Sequence, residues 1–226
     1  MAVSGSKDFE LDVAEYIEEA FERCGLEPKT GYDLKSAKRS LNLLFADWAN
    51  RGLNRWTIEE TTVSLVQGTA SYSLGADTID ILSAVVRTNA GQSDQQDITI
   101  ERVGRQQFLN IPSKNTQARP TQFYVDRQIA PQVKVWPTPD KAYSLVYDRL
   151  VRIDDADTQQ NTVEVPFRFY PCLAAGLAYY LSMKRAPDRT QLLQAVYEQE
   201  FLRAASEDRD RANYKATPNR NFYRVC

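Results

Sequence analysis

The chain has 226 residues, 42% of them hydrophobic and 26% charged, so it can bury a core without disulfide or metal staples and is not a disordered chain. Its 28 Lys and Arg stand against 30 Asp and Glu, a formal net charge of −2 that argues against a dedicated nucleic-acid binder. Histidine is absent, which excludes Ser-His-Asp and Cys-His nucleophile pairs, HExxH zinc chemistry and any histidine proton shuttle.

The opening residues, MAVSGSKDFE, lack a basic head followed by an apolar block, so cytosolic synthesis is expected. Phe9, Val13, Tyr16, Ile17, Ala20, Phe21 and Cys24 fall at helical spacing with Gly25 as a stop, predicting an amphipathic helix over 9–24. Its other face carries Asp8, Glu10, Asp12, Glu15, Glu18, Glu19 and Glu22 against Lys7 and Arg23. Such a face is ordinarily a solvated one; the sharper reading is a surface turned toward a basic partner, or one that repels DNA. Leu34, Ala37, Leu41, Leu44, Phe45 and Trp48 repeat the stripe as far as Gly52, and predict a second helix packed on the first.

From about residue 57 the period shortens. TTVSLV, ASYSL, IDILSAVV, QDITI, TQFYVD, QVKVW and YSLVYD predict seven short strands, paired antiparallel with one wet face. NIPSKNT (110–116) and Arg119-Pro120 read as loops, and Trp136 reads as a core aromatic at a strand end. Asp154, Asp155 and Asp157 form an exposed connector; it lacks the glycine and distal glutamate of a calcium loop, so it reads as a plain one. A helix returns at Pro166 or after Pro171. Its stripe is Leu173, Leu177, Tyr180 and Leu181, and Ala174, Ala175, Gly176 and Ala178 let a neighbour approach. The apolar run over 172–183 is far short of the about 20 residues that span a bilayer. Ala186-Pro187-Asp188 breaks the segment before a last helix marked by Leu192, Leu193, Val196, Tyr197, Phe201 and Ala204.

The pattern is therefore α+β: a helical bundle formed by the N- and C-terminal segments (1–60 and 163–210) with an inserted antiparallel β-rich domain (61–162). An extended tail (211–226) follows. That tail, RANYKATPNRNFYRVC, has four basic residues and no acidic one, too polar to pack alone. Cys24, Cys172 and Cys226 are widely spaced, without a CxxC pair, so neither a disulfide framework nor a metal site is expected. No GxxxxGK[ST] or GxGxxG stretch offers a phosphate cradle, and no cofactor is implied. Catalysis is left to carboxylates, lysine or tyrosine. A cell-wall glycan hydrolase would need two carboxylates about 5–10 Å apart, for which Glu59, Glu60, Glu101 and Glu164 are candidates that no spacing singles out.

Three ordered stretches carry a resemblance: LNLLFADWANRGLNRWTIEETTVSL (41–65), RPTQFYVDRQIAPQVKVWPTPDKAYSLVYDRL (119–150) and VEVPFRFYPCLAAGLAYYLSMK (163–184). Together they resemble the head-to-tail adaptors of short-tailed bacteriophages, the tail accessory or packaged-DNA stabilisation family. The resemblance implies a non-enzymatic virion protein, about twelve copies of which form a ring under the portal protein and receive the tail nozzle protein, with double-stranded DNA passing through without sequence-specific binding. It also implies portal attachment through the tail, where Tyr214, Lys215, Arg220, Phe222, Tyr223 and Arg224 supply aromatic anchors and basic flanks.

Overall fold

The computed structural model describes residues 5–6, 9–52, 55–158 and 160–209. It is an α+β structure with five helices and two sheets among those residues.

Helix α1 (Val13–Arg23) begins four residues later than the apolar spacing predicts. Asp12 caps it: its Oδ1 accepts from the Glu15 amide at 2.8 Å, and Glu15 Oε2 accepts from the Asp12 amide at 2.9 Å. This reciprocal cap fixes the first turn and leaves Phe9 outside the helix, 61% exposed rather than in the core. Helix α2 (Gly31–Arg51) starts on the same device, with Thr30 and Asp33. After Pro166 comes a 3₁₀ turn (Phe167–Phe169), then α4 (Tyr170–Arg185) with Pro171 in its first turn. A proline there forfeits no helical hydrogen bond, so the segment is not kinked. Helix α5 (Thr190–Glu207) closes the layer.

Helix α4 is the centre of this layer. Cys172 through Ala178 are all buried, and α1, α2 and α5 pack against α4. The predicted close approach occurs at Gly176, where a Cβ would lie 2.9 Å from Leu44 Cδ2 and 2.9 Å from Tyr197 Cε2. Polar groups then lock the layer. Trp48 Nε1 donates to Tyr197 Oη at 3.0 Å, Tyr197 Oη donates to Asp47 Oδ2 at 3.0 Å, and Arg51 grips both Glu198 oxygens at 2.8 Å.

The β region comprises β1 (Ile58–Leu65), β2 (Ser71–Ser73), β3 (Thr78–Thr88), β4 (Gln96–Thr99), β5 (Glu101–Arg102), a short helix α3 (Arg105–Leu109), β6 (Gln122–Asp126), β7 (Gln132–Trp136) and β8 (Tyr143–Val151). One sheet runs β1-β8-β3-β4, the other β2-β7-β6-β5. Leu65, Ile81, Val86, Tyr143, Leu145 and Tyr147 of the first share a core with Phe123, Val125, Val133 and Val135 of the second. Alternate residues of β8 thus face the opposite sheet, as period-2 patterning requires. Three expectations are corrected. There are eight strands among the described residues, and β5 pairs with β6 in parallel; the stretch 103–121, with α3 in it, supplies the crossover a parallel pair needs. Trp136 is half-buried, and its Nε1 donates to the Ser113 carbonyl at 2.9 Å. It ends β7, before a cis peptide to Pro137, and fastens the loop 110–116 instead of filling the core.

Entry and exit of the β region lie side by side. β1 and β8 pair antiparallel from Ile58↔Leu150 to Leu65↔Tyr143, so the strand leaving the helical layer is hydrogen-bonded to the strand returning to it. The returning connector is not wholly exposed: Ile153 and Ala156 enter the helical core, and the Ala156 amide donates to Asn42 Oδ1 at 2.9 Å. The aspartates between them point outward.

Candidate assembly surface

Three segments converge where the two regions meet. The 3₁₀ turn Arg55–Thr57 leads into β1, the turn Phe167–Phe169 leads into α4, and α5 ends beside both. The Trp56 and Phe169 rings lie 4.5 Å apart between centroids, and the Phe169 and Trp48 rings 5.4 Å apart. The Arg168 guanidinium sits 6.0 Å from the Trp56 ring and 5.9 Å from that of Phe169, within cation–π range. Asp208 completes the junction: its side chain, only 5% exposed, pairs with Arg168 and accepts from the Arg55 amide at 2.9 Å. The root of the tail is therefore anchored at the junction. Tyr214, Lys215, Arg220, Phe222, Tyr223 and Arg224 themselves lie outside the described residues. Sequence reasoning missed the anchor, since nothing local ties Asp208 to Arg55 or Arg168.

The acidic face of α1 is real: Glu15, Glu18 and Glu22 are exposed, and Glu10, ahead of the helix, is exposed as well. It borders a groove of about 460 Å³ between α1 and the start of α4, floored by Phe9, Leu11, Tyr170 and Pro171. The Tyr170 ring, in that floor, lies 6.5 Å between centroids from Phe9, 5.5 Å from Phe167 outside the groove and, on the buried side, 6.0 Å from Tyr16.

Several ionisable groups are held in structural roles. Burial pushes the Cys172 thiol up to about 12, away from the thiolate that nucleophilic chemistry needs. The hydrogen bond from Arg51 holds the Glu198 carboxyl below its ordinary range. The Thr30 hydroxyl, and then Arg185, do the same for Asp33. Burial, with Arg39 and Arg185 nearby, lowers the Lys184 ammonium. The four glutamates considered for hydrolysis are not brought together. Glu59 and Glu60 are successive residues of β1 and so face opposite sides of the sheet. Glu59 pairs with Arg149 at 2.8 Å, Glu101 belongs to the other sheet, and Glu164 lies in the connector. Among the described residues no cluster of acidic and cysteine side chains could hold a metal ion, and no helix is long and apolar enough to cross a membrane.

The family model of the SU10 adaptor protein matches residues 11–221, a span that takes in the helical layer, both sheets and most of the tail. The chain belongs to the SU10 adaptor protein family. This is a family of phage head-to-tail adaptors, in agreement with the resemblance carried by residues 41–65, 119–150 and 163–184. No curated protein matches the chain. For an SU10 adaptor the surfaces that matter are those that meet other virion components. The anchored root of the tail and the acidic aromatic groove are the two candidates described above.

Proposed function

We propose that this SU10 adaptor works as a ring of about twelve copies under the portal protein, in the neck of the virion between head and tail. The ring helps retain the packaged genome, lets double-stranded DNA pass without reading its sequence, and offers the docking platform for the tail nozzle protein. It assembles in the host cytoplasm and carries out no catalysis of its own. In this reading residues 1–60 and 163–210 form the helical domain, 61–162 the insert, and 211–226 the segment that attaches to the portal. Phe222 and Tyr223 enter apolar pockets there while Arg220 and Arg224, with Lys215 and Tyr214, meet acidic rims.

The family match over residues 11–221 carries the reading. Asp208 supports the part given to the tail, because its fixed contacts hold the root in one place on each copy. The test is to mix full-length protein with its portal protein and measure the complex by native mass spectrometry. The expected species is one portal with about one adaptor per portal subunit, lost when the chain is cut after Asp210. Full-length protein that stays monomeric and unbound would sink the proposal; a truncated chain that binds as well as the intact one would remove the tail from it.

A further inference from the structure

Two exposed helix faces of this chain carry opposite charge. On α1, Glu18 and Glu22 stand one turn apart and exposed, while the neighbouring Glu15 and Glu19 are engaged with the helix cap and with Arg23. The groove beside them is lined by Phe9, 61% exposed, and Tyr170, and Phe167, 68% exposed, packs edge-on against Tyr170 next to it. On α2, Tyr32, Lys35, Arg39 and Leu43 follow at spacings of three and four residues, which places them in one row. This row faces away from the core stripe of Ala37, Leu41, Leu44, Phe45 and Trp48. Tyr32 is 67% and Leu43 52% exposed. Arg152 lies beside the row and adds positive charge, with Asp155 the acid that lines the same hollow.

Each face is therefore the complement of the other and not of itself. Two α1 faces laid together would set Glu18 and Glu22 against their own copies, and two α2 rows would do the same with Lys35 and Arg39. Nor can the faces meet within one molecule, because both turn away from the same core. They also have different surroundings, the α1 groove bordering the start of α4 and the α2 row bordering the connector near Arg152. An acidic aromatic groove at one place and a basic ridge with exposed Tyr and Leu at another is what a head-to-tail contact between identical subunits requires.

We infer that a second copy of this chain seats its α2 row, Tyr32, Lys35, Arg39 and Leu43, in the groove of the first between α1 and α4, setting Lys35 and Arg39 against Glu18 and Glu22 and the apolar side chains against Phe9 and Phe167. This rests on the ring reading above and names the contact that repeats around the ring. Association should weaken as salt rises, because the pairs are exposed at the rim before contact.

Charge exchange tests it. Three full-length variants are compared with the parent: Glu18→Lys/Glu22→Lys, Lys35→Glu/Arg39→Glu, and the fourfold chain carrying all of these. The chosen side chains are exposed, so each variant should keep the parent's circular dichroism spectrum. Self-association is measured by analytical ultracentrifugation, alone and on the portal. Each double variant should self-associate at least about tenfold more weakly than the parent, since reversal replaces attraction by repulsion. Association should return in the fourfold chain and in an equimolar mixture of the two double variants. If the double variants assemble as well as the parent, the contact is wrong and the ring reading survives. If they fail and neither the fourfold chain nor the mixture recovers, the pairing is likewise wrong. A parent that does not self-associate in either setting overturns both the contact and the ring.

Discussion

The helical layer and the β-sandwich are held together in different ways. In the sandwich, Leu65, Ile81, Val86, Phe123, Val125, Val133, Val135 and Leu145 form a core that is hydrocarbon apart from Tyr143 and Tyr147, and the ion pairs sit at its rim, as with Arg87 on Asp97 at 2.7 Å and Arg149 between Glu59 and Asp77. The helical layer puts hydrogen-bonding groups inside: Trp48, Tyr197 and Asp47 form a chain of bonds between α2 and α5, which lie about 150 residues apart in sequence. The pairing of β1 with β8 sets residues 58 and 150 side by side, where its two halves begin to meet. Apolar burial is enough for a unit whose strands are contiguous in the chain. A layer assembled from distant halves gains from groups that fit one partner in one orientation, because a misplaced helix leaves them unsatisfied. The sandwich should therefore survive damage to the helices, and the helices should not survive damage to the sandwich.

The largest expected effect is that of Trp48→Ala. It empties the most voluminous fully buried site and takes a partner from Tyr197, for a loss of about 4 kcal/mol. Hydrogen exchange should show amides of α2, α4 and α5 opening while those of β3, β7 and β8 stay protected; simultaneous loss in both regions would break the asymmetry. Leu145→Ala, in one of the two inner strands of the first sheet, should cost about 3 kcal/mol. Here helix and strand signals should fall together in urea, because the stem that joins the helical halves is the strand being weakened. A smaller effect, about 2 kcal/mol, is expected for Gly176→Ala, where the added methyl meets Leu44 and Tyr197. Combined with Leu44→Ala, the two losses should sum to less than their separate values in thermal unfolding, and strict additivity would mean that the close approach is not the cause.

Near neutrality the effect of pH should be smallest. With no histidine in the chain, stability should be nearly level from about pH 5 to 8. Hydrogen bonds from Thr30, Arg87 and Arg51 depress the carboxyls of Asp33, Asp97 and Glu198. Their contribution is complete above the unfolded carboxyl pKa of about 4 and is lost as pH falls through the lower folded values. Burial acts at the other end. It raises the Cys24 and Cys172 thiols, and the phenols of Tyr16, Tyr143 and Tyr197, that of Tyr143 to about 12. The unfolded chain therefore loses thiol protons first from about pH 8.5 and phenol protons first from about pH 10, so stability declines upward from there. The lowered Lys184 offsets a small part of that decline. A series of urea midpoints across pH checks the shape; a slope between pH 5 and 8 would contradict it.

Much of this architecture is legible in the sequence because it rests on periodicity. The stripes Val13 to Cys24 and Ala37 to Trp48 and the strand runs at 61–66, 79–86, 132–136 and 143–148 follow from apolar spacing alone. Helix α1 starts later than that spacing suggests because the Asp12–Glu15 cap overrides an apolar Phe9. β5 and α3 escape notice because two-residue and five-residue elements carry no period. The junction is illegible for another reason: Trp56, Phe169 and Asp208 are drawn from segments separated by 113 and 39 residues, and no local pattern encodes such a meeting. The row of Lys35 and Arg39 can be seen in the sequence, but its meaning depends on an acidic groove that exists only once α4 lies against α1.

The paired entry and exit of the sandwich also has a mechanical meaning. Both legs of the β1–β8 stem are rooted in the helical layer, and their far ends meet near the tip, where the Gly68 amide donates to the Pro139 carbonyl at 2.9 Å. A pull on that tip is carried along two covalent backbones in the same direction, so neither strand is dragged past the other and the ladder between them bears little shear. Tension or pressure reaching the tip would be delivered to the helical layer at two adjacent points, moving the sandwich as a rigid lever about its root while its hydrogen bonds stay intact.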